Sequence, residues 1–181
     1  MDLVQNAVEA GARRVRVRWT ERGDTLRLSV SDDGRGMDAT QLRQALDPFV
    51  TEAGKHPGRR VGLGLPFLLQ AAEAAGGRVR IRSARGRGTT VCCRVARRHP
   101  DRPADGDVAG TLLLALNLAG AVQLLWERRC DGAAYRVESA ELTAATGPLD
   151  EPLAIQLARA YVAGLELELK EGREHGQVDF R

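Results

Sequence analysis

Residues 32–36 read Asp-Asp-Gly-Arg-Gly, and they follow an alternating segment, residues 26–30, that predicts a strand with one buried face. Two glycines let a backbone approach a flat ligand closely, and a carboxylate beside them can only accept hydrogen bonds. Asp32 therefore suits an exocyclic amine such as that of adenine. A tight Asp-Gly turn without a ligand is the alternative, and the pentapeptide taken alone favours that turn.

The segment ahead of this loop predicts a helix over residues 2–10, ended by Gly11. Asp2 and Asn6 are four residues apart and therefore share one face of that helix. A carboxylate and an amide oxygen on one face can hold a hard cation together with a water. Polar pairs at this spacing are also common on solvated helix faces, so the pair alone leaves both interpretations open.

Downstream, residues 47–61 are rich in Gly, Pro and basic residues, and a loop of this length in a compact domain is usually functional or mobile. The loop runs into Gly-Leu-Gly-Leu, residues 62–65, at the start of a helix predicted over residues 63–75. Free N–H groups and the helix dipole at such a start form an anion site. The cations of the loop that could join this site are Lys55, Arg59 and Arg60.

The order of these segments indicates a family where each alone is a weak signal. Over residues 2–95 the chain closely resembles the GHKL ATPase superfamily, which includes the nucleotide-binding domains of DNA gyrase, a heat-shock chaperone, histidine kinases and MutL. It is similar, more narrowly, to small stand-alone bacterial histidine-kinase-like ATP-binding proteins. The segments that match the superfamily's N, G1, F and G2 boxes are residues 2–6, 32–36, 47–49 and 62–65, followed by Gly88-Thr89.

The resemblance implies ATP and Mg²⁺ as ligands, and it assigns the adenine end of the site to five residues. Asp32 would accept a hydrogen bond from the adenine amine, assisted through a water by Thr89. Gly34 and Gly36 would shape the pocket, and Met37 would pack against the base.

The resemblance also assigns the phosphate end. Asn6 would coordinate magnesium, and Asp2 would be the catalytic carboxylate that orients the attacking water or hydroxyl, with Glu9 in a supporting role. The groups that would neutralise or bind phosphate are Lys55, Arg59 and Arg60 in the loop and the segment Gly62, Leu63, Gly64 and Leu65, chiefly the N–H groups of Leu63 and Gly64. The superfamily more often has glutamate where Asp2 stands, and it has further structure ahead of that position. We therefore expect either a start upstream of Met1 or slow hydrolysis.

The fold that the resemblance implies is an α/β two-layer sandwich of the Bergerat type, a mixed sheet with helices on one face, followed by a small α+β extension. The extension is predicted from its own pattern: helices over residues 108–118 and 152–170, with a hairpin between them. The predicted boundaries are 1–97 for the ATP-binding domain, 98–107 for a linker, 108–170 for the extension and 171–181 for a tail.

The predicted function is Mg-ATP binding with slow hydrolysis, or phosphoryl transfer to a partner protein in signalling. Because no helix with a phospho-acceptor histidine precedes the domain in this sequence, a kinase of this type would phosphorylate a partner. A non-catalytic, ATP-gated interaction module is the alternative from another class. A domain that no longer binds nucleotide is a third interpretation.

Composition restricts the class of protein. The 181 residues are 43% hydrophobic and 28% charged, which is typical of a globular protein with a real core. The sequence contains no apolar run long enough to span a membrane and no signal-peptide pattern at its start. Three cysteines without Cys-x-x-Cys spacing favour neither disulfides nor a zinc site. We therefore expect a cytoplasmic protein with reduced thiols.

Charge is distributed unevenly along the chain. Residues 1–97 contain 18 Lys and Arg against 10 Asp and Glu, whereas residues 98–181 contain 9 against 14. Alternation along the predicted strands places seven arginines on the outer sheet face: Arg14, Arg16, Arg18, Arg27, Arg80, Arg82 and Arg94. This face is either simply solvated, or it binds the acidic C-terminal part or a separate acidic protein. We expect a protein partner rather than nucleic acid, because a net charge of +3 argues only weakly for the latter.

Overall fold

The structure is a computed structural model that describes residues 1–47 and 64–175, with side chains to residue 172. Its helices are α1 (Asp2–Glu9), α2 (Ala39–Leu46), α3 (Gly64–Ala74), α4 (Val108–Ala119), α5 (Ser139–Thr146) and α6 (Pro152–His175). Its strands are β1 (Arg14–Arg22), β2 (Thr25–Asp32), β3 (Arg78–Ser83), β4 (Thr89–Ala96), β5 (Gln123–Cys130) and β6 (Ala133–Glu138).

The six strands form one sheet in the order β3-β4-β2-β1-β5-β6. Neighbouring strands are antiparallel except β1 and β5, which are parallel. Alternation puts the apolar side chains on one face, where a cross-strand row joins Trp126, Val17, Val30 and Val91. The helices pack on this face, and the chain is therefore a two-layer α/β sandwich with a mixed sheet, which confirms the predicted fold class.

The C-terminal part joins the same sheet. β5 pairs with β1 in a register that runs from Arg14 opposite Gln123 to Glu21 opposite Cys130. α4 lies between α1 and α6 in the helix layer and is buried along one side, with Leu112 and Ala115 fully inaccessible. The extension thus shares both the sheet and the core of the first 97 residues.

The outer face of the sheet is covered by no helix in the described parts of the chain. The seven arginines predicted there are all exposed, and Arg27, Arg94 and Arg78 stand side by side across β2, β4 and β3. Residues 108–175 do not dock on this face, contrary to the first of the two binding alternatives above, because they reach the sheet through the edge of β1 and the helix layer.

The sequence predicts a turn over Glu21–Asp24. In the structure the turn lies later, because β1 continues to Arg22 and Glu21 is buried on the inner face. Its carboxylate forms ion pairs with Arg128 and Arg97, which neutralise its charge. A charge at an inward position is tolerated only when such partners exist, and both come from distant parts of the chain.

Across residues 1–47 and 64–175, none of the helices is both long and apolar enough to cross a membrane.

Candidate functional site

The loop after β2 is built around the carboxylate of Asp32. Asp32 Oδ1 accepts hydrogen bonds from the backbone N–H of Gly34 over 2.9 Å and of Thr89 over 3.3 Å. Burial raises the pKa of Asp32 above its ordinary value, although the two N–H groups act in the opposite direction. Both bonds engage Oδ1, which leaves Oδ2 as the atom that can accept from a ligand.

The neighbouring carboxylate, Asp33, has a structural role. Asp33 Oδ1 accepts from the backbone N–H groups of Arg13 and Arg14, each over 2.8 Å, and Oδ2 pairs with Arg14 Nε at 3.2 Å. These bonds, above all the one from the Arg14 N–H, lower the pKa of Asp33. Asp33 therefore ties the loop to the start of β1, and of the two adjacent carboxylates only Asp32 is placed to receive a ligand.

Two glycines bring this loop against the turn between β3 and β4. Gly36 and Gly88 have φ angles of +62° and +74°, which favour glycine. A Cβ on Gly36 would collide with the backbone of Ala84, and a Cβ on Gly88 would collide with the carbonyl of Asp32. The two segments thus meet backbone to backbone, and side chains at these positions would push them apart.

Ser83 is a site residue that the sequence analysis missed. Its Oγ accepts from the N–H of Met37 over 2.8 Å, donates to the carbonyl of Gly88 over 3.1 Å, and lies 2.9 Å from Thr89 Oγ1. Ser83 therefore joins the loop after β2 to the start of β4. The available signal was its register position, since it pairs with Thr89 across the β3–β4 ladder.

Helix α1 forms the wall beside this loop. A Cβ on Gly34 would lie 2.8 Å from Ala10 Cβ, and the N–H of Arg35 donates to the carbonyl of Ala10 over 2.9 Å. The C-terminal end of α1 is thereby fixed next to Asp32. From there the helix runs back past Asn6 to its first residue, a distance of about 12 Å at 1.5 Å per residue.

Asp2 stands at the far end of α1 and lies against Gly64, the first residue of α3. A Cβ on Gly64 would reach within 2.5 Å of the Asp2 Cβ and within 2.8 Å of its Cγ, so only glycine leaves room for the carboxylate. The first N–H groups of a helix have no partner within the helix. The structure thus places the predicted catalytic carboxylate beside the helix start predicted to bind phosphate.

Asn6 lies between these two ends on the exposed face of α1, one turn from Asp2. Its amide oxygen is a hard donor of the type that Mg²⁺ prefers, and Mg²⁺ usually keeps several waters and takes further oxygens from substrate phosphates. Over the described ranges no cluster of three His, Cys, Asp or Glu side chains could hold a metal ion by itself. The Asn6 amide oxygen fits a magnesium ion as one of several oxygen ligands.

The remaining predicted residues divide into two groups. Leu65 is buried in α3, and Glu9 is half-buried and accepts from Gln5 Nε2 over 3.1 Å. Five predicted residues lie outside the described part of the chain: Lys55, Arg59, Arg60, Gly62 and Leu63.

Comparison with known proteins defines the class. Residues 1–99 match the family model for histidine kinase-, DNA gyrase B- and HSP90-like ATPases. That match covers more than half of the chain, and the chain belongs to this ATPase family. Family membership supports ATP binding, and it agrees with the GHKL resemblance identified from the sequence.

Two curated relatives that match are a sensor histidine kinase and a DNA mismatch repair protein. Sensor histidine kinase AruS of Pseudomonas aeruginosa is 40% identical over 98 residues, which are 49% of this chain and 10% of that protein. DNA mismatch repair protein MutL of Thermus aquaticus is 47% identical over 51 residues, 28% of this chain and 9% of that protein. The chain thus spans about a tenth of the length of these relatives.

Among solved structures, the catalytic domain of histidine kinase ThkA is similar. It has 23% sequence identity and a TM-score of 0.43, over 56% of this chain and 65% of that one.

Proposed function

We propose that this protein binds Mg-ATP and either hydrolyses it slowly or transfers its terminal phosphoryl group to a partner protein. The observation that carries the proposal is the Asp32 carboxylate, which is half-buried, fixed through Oδ1 by two backbone N–H groups and closed in by a glycine loop. In this proposal residues 1–97 are the ATP-binding domain, 98–107 a linker, 108–170 the extension and 171–181 a tail.

Adenine selection follows from the chemistry of that carboxylate. Ionised Asp32 can only accept hydrogen bonds, so it pairs with the exocyclic amine of adenine and repels the carbonyl oxygen that guanine presents instead. Gly34 and Gly36 keep the pocket narrow, Met37 packs against the base, and Thr89 supports the contact through a water.

The phosphate end uses α1 and the start of α3. Asn6 would hold magnesium, which when bound would neutralise phosphate charge. The N–H groups of Leu63 and Gly64 bind phosphate, aided by Gly62, Leu65, Lys55, Arg59 and Arg60. Asp2 orients the attacking water or a partner's hydroxyl. Such chemistry needs positioning and charge neutralisation more than a covalent intermediate.

Calorimetric titration tests the binding step. Mg-ATP should bind the wild-type chain saturably, Mg-GTP should not, and Asp32→Ala should abolish ATP binding. Asp33→Asn is the control, since its amide oxygen can still accept from the N–H groups of Arg13 and Arg14 and hold the loop while the adjacent charge is removed. Absence of binding by the wild-type chain at millimolar ATP, or equal binding by Asp32→Ala, would remove the basis of the proposal.

A non-catalytic, ATP-gated interaction module is the second candidate, and the uncovered arginine face favours it because an acidic protein could bind there. Asp2→Asn separates the two functions. Lost turnover with intact ATP binding supports the enzyme, whereas no turnover in either protein supports the gate. Glu73→Gln, an exposed carboxylate at the far end of α3, serves as the control and should leave turnover unchanged.

A further inference from the structure

Strand β3 lies at one edge of the sheet. β4 pairs with it on one side, and no strand of the described ranges pairs with it on the other. An edge strand presents unpaired N–H and C=O groups, on which an extended segment of another chain can add as a further strand. β3 is six residues long, so the open edge measures about 20 Å.

The hydrogen-bond pattern of β4 determines which backbone groups of β3 are open. The N–H of Arg97, directly after β4, donates to the carbonyl of Asp24 over 2.8 Å. Because bonding positions alternate, the odd-numbered residues of β4 bond to β2 and the even-numbered ones bond to residues 78, 80 and 82 of β3. The N–H and C=O groups of Val79, Ile81 and Ser83 therefore point to the open edge.

The outer face beside this edge is strongly basic. Arg78, Arg80 and Arg82 are exposed at alternate positions of β3, and Arg94 and Arg27 continue the row from Arg78 across β4 and β2. None of these five arginines forms an ion pair with another described residue, whereas the first three arginines of β1 pair with carboxylates. The outer faces of these three strands also contain no acidic residue. Their positive charge is thus available to a partner.

A second copy of the chain does not suit this edge. In an antiparallel pair about a two-fold axis at residue 80, Arg80 would face Arg80 and Arg78 would face Arg82. An axis at residue 81 would set Arg80 opposite Arg82, and a parallel pair in register would set each arginine opposite its own copy. Like charges directly opposite each other in a sheet are destabilising. The arginines therefore oppose self-pairing and favour a partner of opposite charge.

We propose that the β3 edge binds an extended acidic segment of a partner protein, which adds to the sheet as a further strand. Carboxylates at every second position of the segment face Arg78, Arg80 and Arg82, and a carboxylate can accept two parallel hydrogen bonds from one guanidinium. The residues between them lie beside Val79 and Ile81, which are half-buried, so apolar side chains fit there. Backbone hydrogen bonds supply affinity, and the alternating charge supplies selectivity.

This binding site lies along one edge of the sheet rather than over the whole arginine face, and it does not depend on ATP. The probe is the capped peptide Glu-Val-Glu-Val-Glu-Val-Glu, whose side-chain pattern is the same in both directions. Calorimetric titration into the full chain, without nucleotide and at physiological ionic strength, should give saturable binding. A peptide of the same composition with all its glutamates in one block should bind roughly tenfold more weakly or worse.

Two outcomes of that titration would overturn the proposal. One is the absence of saturable binding by the alternating peptide at millimolar concentration. The other is equal binding by the block peptide, since a block of charge cannot place a carboxylate opposite every arginine of β3.

Backbone methylation separates strand addition from simple charge attraction. One variant of the alternating peptide carries a methyl group on every valine nitrogen, and another carries it on every glutamate nitrogen, so the charge is unchanged in both. In an added strand, alternate N–H groups point to β3 and the others point away from it. One methylated peptide should therefore lose binding and the other should keep it. Equal affinities of the two would exclude strand addition.

Arg80→Glu tests the side-chain contacts, because residue 80 lies in the middle of β3. It should lower the affinity for the alternating peptide roughly tenfold or more. Arg129→Glu is the matched control: Arg129 is an exposed outer-face arginine of β5, four strands or about 19 Å from β3. The two variants have the same net charge, so equal losses would mean that only overall charge attracts the peptide and would contradict the proposal.

A short DNA duplex is the competing anion. It should bind more weakly than the alternating peptide at the same salt concentration, because a duplex has no backbone groups that can pair with a strand edge. Tighter binding of the duplex, weakened by Arg80→Glu, would mean that these arginines bind phosphates and would overturn the assignment to an acidic peptide segment.

Discussion

Arg128 Nη1 donates to Glu21 Oε1 over 2.5 Å, and each of these two side chains is only 4% exposed. Glu21 belongs to β1 in the ATPase half and Arg128 to β5 in the C-terminal part. The Arg128 guanidinium also stacks over Trp19 at 4.2 Å and pairs with Glu166. Burial raises the pKa of Tyr135, whose hydroxyl therefore stays protonated and donates to the same Glu166. The two halves of the chain are thus joined by a buried charge cluster.

Removal of one member of this cluster should destabilise the whole protein. Arg128→Ala leaves Glu21 and Glu166 short of a buried positive partner, and breaking a buried ion pair in this way costs roughly 3–5 kcal/mol. Urea denaturation followed by far-UV circular dichroism measures the loss. Arg18→Ala is the control, because Arg18 pairs with Glu127 but is 46% exposed, and it should cost less than about 1 kcal/mol. Equal losses in the two variants would contradict a buried role for Arg128.

Gly36→Ala should lower ATP affinity by more than the backbone strain at this position alone would. Gly36 and Gly11 have similar φ angles, +62° and +72°, so alanine costs each about 1–2 kcal/mol in backbone energy. Only at Gly36 would the added Cβ collide with the backbone of Ala84, whereas at Gly11 it meets nothing within 4 Å. We expect ATP affinity to fall roughly tenfold or more in Gly36→Ala and to change little in Gly11→Ala. Calorimetric titration of ATP into both variants measures this difference in affinity.

Asp32→Asn should stabilise the unliganded protein while weakening ATP binding. Because the folded-state pKa of Asp32 is raised above 3.8, mainly by burial, the folded protein binds this proton more tightly than the unfolded chain does. Stability therefore falls as pH rises from about 3.8 through the raised pKa, and the cost of the ionised group is fully present at neutral pH.

Asparagine removes the cost of burying a charge. Its amide N–H would face the adenine amine, however, and two donors cannot form a hydrogen bond with each other. Thermal melts from pH 3 to 8 should give a Tm difference in favour of Asp32→Asn that grows with pH and then levels off. A difference that shrinks as pH rises would contradict the raised pKa.

Ser83→Ala should loosen the junction between the two glycine segments. The change removes the acceptor for the Met37 N–H and the donor to the Gly88 carbonyl, and an unsatisfied half-buried N–H costs about 1–3 kcal/mol. Both stability and ATP affinity should fall. Ser29→Ala, a half-buried serine on the outer face of β2, is the matched control for the loss of a strand hydroxyl and should leave ATP affinity unchanged.

Most of the ATPase half could be predicted from the sequence, because its strands and helices have recognisable local patterns. Alternation predicted the buried face of residues 26–30 and the arginines on the outer face, and helical spacing predicted α1 and α3. Glu21 was misjudged for a physical reason: an acidic residue indicates a turn unless distant cations neutralise it, and Arg97 and Arg128 are 76 and 107 residues away along the chain.

The pairing of β5 with β1 could not be predicted in the same way. Which strand fills an open sheet edge depends on the three-dimensional arrangement of the helices and leaves no local pattern. α5 was missed because residues 139–146 lack helical periodicity, their apolar residues being spread around the helix. Ser83 was missed because its three partners come together only when the sheet has formed.

The parallel pairing of β1 and β5 has a consequence for the newly made chain. Glu21 and Cys130 lie opposite each other and are separated by 109 residues along the chain. At 5–20 residues per second β5 is therefore synthesised about 5–20 s after β1, and the edge of β1 is unpaired during that time. An open edge is a template for pairing with other chains. Arg14, Arg16 and Arg18 lie along this edge, and their mutual repulsion keeps unfinished chains apart until β5 emerges from the ribosome.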